Sequence, residues 1–320
     1  MLRSGAFFLT LGLLAAQPLR LEKTIPLNVE GRIDHMSADV KGNRLFLAAL
    51  GNNTVEVIDL AAGAAIRSLK GFHEPQGVYY WAAGDKLYIA NGQNGKLTVL
   101  DGHSFLELKT YDFNSDADNV RFDAKSKEVY VGYGDGALGV VNADLGARVG
   151  QTMLDAHPES FQLDTSGSRI FVNVPNAGNV TVVDRRTRTV VAKWAVRTAK
   201  SNFPMALDEA NHRLFIGCRK PAKLIVLDTS SGKEVASVDI VGDTDDLFYD
   251  ASRKRIYISG GAGAITVLEQ KDGDHYQEIA KITTAPSART SLFIPELKRF
   301  CVAVPHQGKQ GSELRVFATE

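Results

Sequence analysis

One pattern leaves this chain few folds to choose from. An apolar residue that follows a polar turn recurs at Leu45, Leu87, Val129, Ile170, Leu214, Ile256 and Phe300, at spacings of 42, 42, 41, 44, 42 and 44 residues. A second marker is a polar residue that closes the next apolar run. It falls at Asp59, Asp101, Asn142, Asp184, Asp228 and Glu269 and keeps the same period. A repeat of this length with several short strands per unit is the size of a β-propeller blade. The sequence therefore predicts an all-β, seven-bladed β-propeller of four-stranded antiparallel blades.

The second unit gives the strand pattern. Val78-Tyr79-Tyr80-Trp81 reads as the inner strand, Leu87-Tyr88-Ile89-Ala90 as the second and Lys96-Leu97-Thr98-Val99-Leu100 as the third. Leu106 to Tyr111 alternates apolar and polar, as an outer strand wetted on one side should. The second strands are apolar on both faces, which suits strands sandwiched between blades. The seventh unit stops at its third strand, Leu314-Arg315-Val316-Phe317, whereas residues 19–27 resemble a fourth strand that has no unit of its own. The expectation is that the N-terminal strand completes the last blade and removes an open edge.

The runs Leu87-Tyr88-Ile89-Ala90-Asn91 with Thr98-Val99-Leu100-Asp101, Ile170-Phe171-Val172-Asn173 with Thr181-Val182-Val183-Asp184, and Ile256-Tyr257-Ile258-Ser259 with Thr266-Val267-Leu268-Glu269 carry a resemblance. They are similar to the YVTN repeat of bacterial YncE-like seven-bladed propellers. The fifth and seventh units depart from it, with Cys218-Arg219-Lys220 and Val304-Pro305-His306 where the repeat's asparagine would stand. The resemblance implies a secreted or periplasmic propeller. It is a structural repeat and brings no catalytic motif.

Charge is balanced, with 37 basic and 37 acidic residues, so the chain lacks the basic excess of a nucleic-acid binder. Arg185-Arg186-Thr187-Arg188 is basic but short and reads as a solvated turn, as do residues 124–127 and 251–255. Residues 1–16 read as an export signal, with Arg3 ahead of an apolar run too short to span a bilayer. Residues 17–320 then form one domain, expected to be a monomer with no membrane span. Cys218 and Cys301 lie in apolar runs and read as buried free thiols.

Function should sit where the segments leading into the seven inner strands converge at one mouth of the channel. Those segments hold Arg32, Asp34 and His35; His73, Glu74 and Gln76; Asp116, Asp118 and Asn119; His157, Glu159 and Ser160; Asn202 and Phe203; Asp243, Asp245 and Asp246; and Arg289 and Thr290. Such residues also serve turns and wet channels without any ligand. Carboxylates crowded at one rim, however, raise one another's pKa, and a cation or ligand would relieve them. The ligand-binding candidates are Arg32, Asp34, His35, Glu74, Asp118, Asn119, His157, Glu159, Asp245, Asp246 and Arg289. For a divalent cation the candidates are Glu74, Asp118, His157, Glu159 and Asp245. This favours non-catalytic binding of a small ligand or ion. The alternatives are a metal-assisted hydrolase or lyase of small cyclic esters using His157, Glu159 and Arg289, and a protein-interaction scaffold. Asp34 and His35 make a poor dyad if that segment is a regular strand, because neighbouring side chains would then point opposite ways.

Overall fold

The computed structural model describes residues 17–320, so the expected export signal lies outside the described residues. The chain forms seven four-stranded antiparallel sheets arranged as the blades of a propeller. Blades 1 to 6 span residues 36–70, 75–112, 117–153, 161–195, 200–239 and 244–283. Blade 7 takes three strands from residues 291–319 and its outer strand, Leu19–Pro26, from the N-terminus. Leu19 lies opposite Thr319 and Pro26 opposite Glu313, so the ring closes between its own two ends, as the sequence predicts. Four short 3-10 turns interrupt the strands, and among the described residues no helix is long and apolar enough to cross a membrane.

The two sequence markers have separate physical causes. The first opens second strands such as Arg44–Ala49, whose residues from Leu45 to Ala49 are all buried. Cores form between neighbouring blades, as where Phe46 of blade 1 meets Tyr80 of blade 2 with ring centroids 5.4 Å apart. The second marker caps the turn between third and fourth strands. Asp59 Oδ1 accepts the N–H groups of Ala61 and Ala62, both at 2.8 Å. Asp101, Asn142, Asp184 and Asp228 do the same in their blades. A short side-chain acceptor two or three residues before a backbone N–H is what such a turn selects. In blade 6 Glu269 is too long for this, and Asp272 takes over, accepting from Asp274 and His275.

Cys218 and Cys301 are buried and unbridged, as expected. One surface reading is corrected. Arg186 is solvated, but Arg185 is only 8% exposed. Its Nη1 donates to Asp123 Oδ2 of blade 3 at 2.9 Å, and its Nη2 donates to the carbonyls of Asp164 and Gly167. Arg188 reaches back to Glu128 Oε1 at 2.9 Å. The basic run therefore ties blade 4 to blade 3. A sequence window cannot see this, because the partners lie about sixty residues away.

Candidate functional site at the channel mouth

Each inner strand carries the same irregularity near its start. In blades 2, 3, 5 and 6 the pairing to the second strand slips by one residue, between Pro75 and Val78, Ala117 and Val120, Asn202 and Met205, and Thr244 and Asp246. In blade 1 the Asp34 N–H and the His35 carbonyl both bond to Ala48, and in blade 4 Glu159 and Ser160 both bond to Asn173. In blade 7 Ala303 donates to the Thr290 carbonyl. Two residues facing one is a β-bulge, which re-aims side chains. The first residue of each bulged pair is Asp34, Gln76, Asp118, Glu159, Phe203, Asp245 and Arg289. All seven line one cavity of about 280 Å³ at the channel mouth. Arg32, His35, Asp116, Asn119, His157, Ser160 and Arg219 complete its wall.

The bulge explains why Asp34 and His35 come together after all. Both line the cavity, with His35 Nε2 3.7 Å from Asp34 Oδ1, because neither belongs to a regular strand. Nine of the eleven expected ligand residues line this wall. Asp246 sits one step deeper, 3.6 Å from His35 Nδ1 and accepting the Ser291 N–H at 2.7 Å. Glu74 is outside the cavity. It occupies a left-handed turn (φ 51°) with its N–H on Asn53, and Gln76 holds the blade 2 position instead. Gly77 follows because the blade 3 backbone passes close by, and a Cβ there would lie 2.1 Å from the Asp118 carbonyl oxygen.

Arg219 is a wall residue that the lead-in segments do not reveal, since it arrives from the second strand of blade 5, Arg213–Lys220. It directly follows Cys218, which takes the place of the repeat's asparagine. Elsewhere that residue is structural, as in Asn91, whose Oδ1 accepts the His73 N–H and whose Nδ2 donates to the Lys96 carbonyl. Arg219 lies 3.7 Å over the Phe203 ring and donates from Nε to the Thr244 carbonyl and from Nη2 to Asp245. Arg289 Nε lies 3.0 Å from the other oxygen of Asp245, and its Nη1 bonds Asp243. Arg32 donates to Asp34 at 2.9 Å. The wall thus has an arginine arc from blades 5, 7 and 1, facing an arc of acids and imidazole from blades 3 and 4.

That second arc is under-satisfied. The buried oxygens Asp118 Oδ1 and Asn119 Oδ1 accept no hydrogen bond. Burial, reinforced by Asp118 and Asp245, pushes Glu159 up to about 8 against the pull of His157 and His35. Glu159 therefore stands largely as a neutral acid at neutral pH. Burial also raises Asp34, to about 6. For the imidazoles burial acts downward, but the carboxylates win. Asp246, Asp34 and Asp118 raise His35 to about 10, and Asp118, the Gly134 carbonyl and Asp116 raise His157 to about 9. His157 Nδ1 is bonded to the Gly134 carbonyl at 2.6 Å, and its ion-pair partners are Asp116 and Asp118, not Glu159. Of the proposed metal ligands, Asp118, His157, Glu159 and Asp245 share the wall, interleaved with cations. Among the described residues no three His, Cys, Asp or Glu side chains converge as a ligand set.

No family model matches the chain. A protein of Salmonella typhimurium (strain LT2) described as uncharacterized protein YncE is 27% identical over 253 residues, covering 77% of this chain and 66% of that protein. The Salmonella typhi YncE matches equally. The match spans slightly less than two thirds of these relatives' length. Among solved structures, a chain of a mitotic checkpoint complex superposes with a TM-score of 0.79 at 13% identity, covering 99% of this chain and 98% of the other. The WD40 repeats of RRP9 superpose with a TM-score of 0.80 at 10% identity, over 94% and 100%. A chain of Kuenenia stuttgartiensis hydrazine synthase gives 0.75 at 15%, over 87% and 94%. At such identities these structures share only the fold. The repeat, the ring of seven blades and the 27% identity agree in making this chain a seven-bladed β-propeller similar to the YncE proteins.

Proposed function

We propose that this is an exported propeller that binds a small hydroxy- or amino-carboxylic acid at the channel mouth without transforming it. The observation that carries this reading is the pairing of two unlike arcs across one cavity. Asp118 Oδ1, 3.9 Å from His35 Nε2, and Asn119 Oδ1 are buried acceptors that receive no hydrogen bond, and Glu159 lines the same cavity with no ion-pair partner among the described residues. A ligand hydroxyl or ammonium would satisfy them. Opposite, Arg32, Arg219 and Arg289 keep N–H donors beyond those used on Asp34, Asp245 and Asp243, since each guanidinium has five. A ligand carboxylate would take these. Leaving buried polar groups unpaired costs about 1–3 kcal/mol each, and a ligand of this kind recovers that cost.

An organic molecule fits the wall better than a bare divalent ion. Metal ligation needs deprotonated imidazole, whereas His35 and His157 are held protonated by their carboxylate neighbours. The export reading rests on residues 1–16 alone. The test is calorimetric titration at pH 7 with a panel of small hydroxy acids and amino acids, such as malate, tartrate, serine and glutamine. At least one should bind saturably, and Glu159→Gln should weaken it. If none binds while a divalent ion does, the site is a metal site instead.

A further inference from the structure

His35 and Ser160 line both the mouth cavity and a second chamber of about 440 Å³. The second chamber differs in character. Its wall mixes polar groups with an apolar patch in which Tyr79, Phe248, Leu292 and Phe293 come from blades 2, 6 and 7. One arginine stands among them. Arg121 projects from the blade 3 inner strand, donating from Nη1 to its neighbour's carbonyl, Val120 O, at 2.9 Å and from Nη2 to Ser160 Oγ at 3.4 Å. Among the described residues it has no carboxylate in ion-pair contact, unlike Arg32, Arg44, Arg185, Arg219 and Arg289. The chamber's own acids are committed elsewhere. Asp246 serves His35 and the Ser291 N–H, and Glu296 is exposed at the outer rim.

We infer that this chamber is a second binding site, for a small amphipathic carboxylate whose anion pairs with Arg121 and whose apolar body lies against Tyr79, Phe248, Leu292 and Phe293. A guanidinium offers a planar fork that matches a carboxylate, and partial burial strengthens that pair. Arg121 lies over the Phe161 ring, 5.6 Å from its centroid, but burial lowers its pKa and the acids nearby do not make up the difference, so an anion paired with it would offset part of that cost. The volume lies within the range of small-molecule sites, about 300–1,000 Å³. Gln162, whose Nε2 is used on the Met205 carbonyl, sits on the same wall. The two cavities share His35 and Ser160, but the proposed anion partner, Arg121, lines only this one.

The experiment is calorimetric titration of the full chain with 2-naphthoate and with neutral 2-naphthamide. Naphthoate should bind one to one and at least about tenfold more tightly than naphthamide, the size of one charge-assisted pair. Arg121→Met should remove that difference, while Glu159→Gln in the mouth should leave naphthoate affinity unchanged. If Arg121→Met does not fold, Gln162→Glu supplies a second test by placing a carboxylate in the wall of the same chamber, and it should weaken naphthoate. The inference is overturned if naphthoate fails to bind, if the amide binds as tightly, if naphthoate affinity survives the Arg121 or Gln162 change, or if it is lost with Glu159→Gln.

Discussion

His35 Nδ1 of blade 1 lies 3.6 Å from Asp246 Oδ1 of blade 6, and His35 lines both chambers. His35 and Asp246 are second residues of their bulges, so the fold's repeated irregularity positions this pair as it positions the mouth ring. Its strength depends on pH. His35 is raised from 6.5 to about 10, so its contribution is complete below about 6.5 and is lost as pH rises through about 10. The His35→Asn variant should be less stable than the parent at pH 6, with the gap closing by pH 10. Urea midpoints at several pH values measure this, and a gap constant in pH contradicts it.

Glu159 has the opposite sign. Its carboxyl is raised from 4.5 to about 8. Below 4.5 the group is protonated in both states and contributes nothing. Above 4.5 the unfolded chain ionises first, which favours unfolding until the folded group ionises near 8. Glu159→Gln should therefore gain stability over the parent between pH 5 and 8 and level off above that. The same urea series reads it.

Asp245 is the wrong residue for a clean binding test. It is held between Arg219 and Arg289, and Asp245→Ala would leave two guanidiniums facing each other. That variant should lose about 3 kcal/mol or more, as buried pairs do when one partner is removed. Glu159→Gln breaks no ion pair and should keep the fold while losing ligand. Thermal melts beside calorimetry separate the two effects.

Arg185→Met should cost about 3–5 kcal/mol, because it strands Asp123 and removes the donor to the Asp164 and Gly167 carbonyls between two blades. Arg186→Ala, on the exposed neighbour, should fall within about 0.5 kcal/mol of the parent. Equal effects would refute the difference in burial.

Removing residues 19–26 exposes the edge of Glu313–Thr319 and opens the ring. The expected result is a lower midpoint for the whole chain in a single transition. A separate, early transition confined to blade 7 would show that closure matters only locally.

The period of the repeat made the architecture legible. Leu45 and its six equivalents must be buried between blades, and Asp59 and its equivalents must cap turns, so both constraints are written at every copy. The mouth was legible in part. Asp34, Asp118, Glu159, Asp245 and Arg289 stand in a lead-in segment with chemistry suited to a site. Glu74 misled because it looks equivalent, although Gln76 has the right distance from its marker. Each first-bulge residue lies eleven positions before the buried marker of its blade, from Asp34 before Leu45 to Arg289 before Phe300. That offset carries the bulge, which alternation alone cannot show. Arg219 and the pairing of Arg185 depend on contacts between blades, which no local window holds.

Native mass spectrometry of the protein purified without added metal or chelator tests the mouth site most directly. The account predicts a small organic adduct, or one restored by adding a hydroxy or amino acid, that is absent from Glu159→Gln. An unliganded mass that no such acid shifts, or a shift matching only a divalent ion, would contradict it.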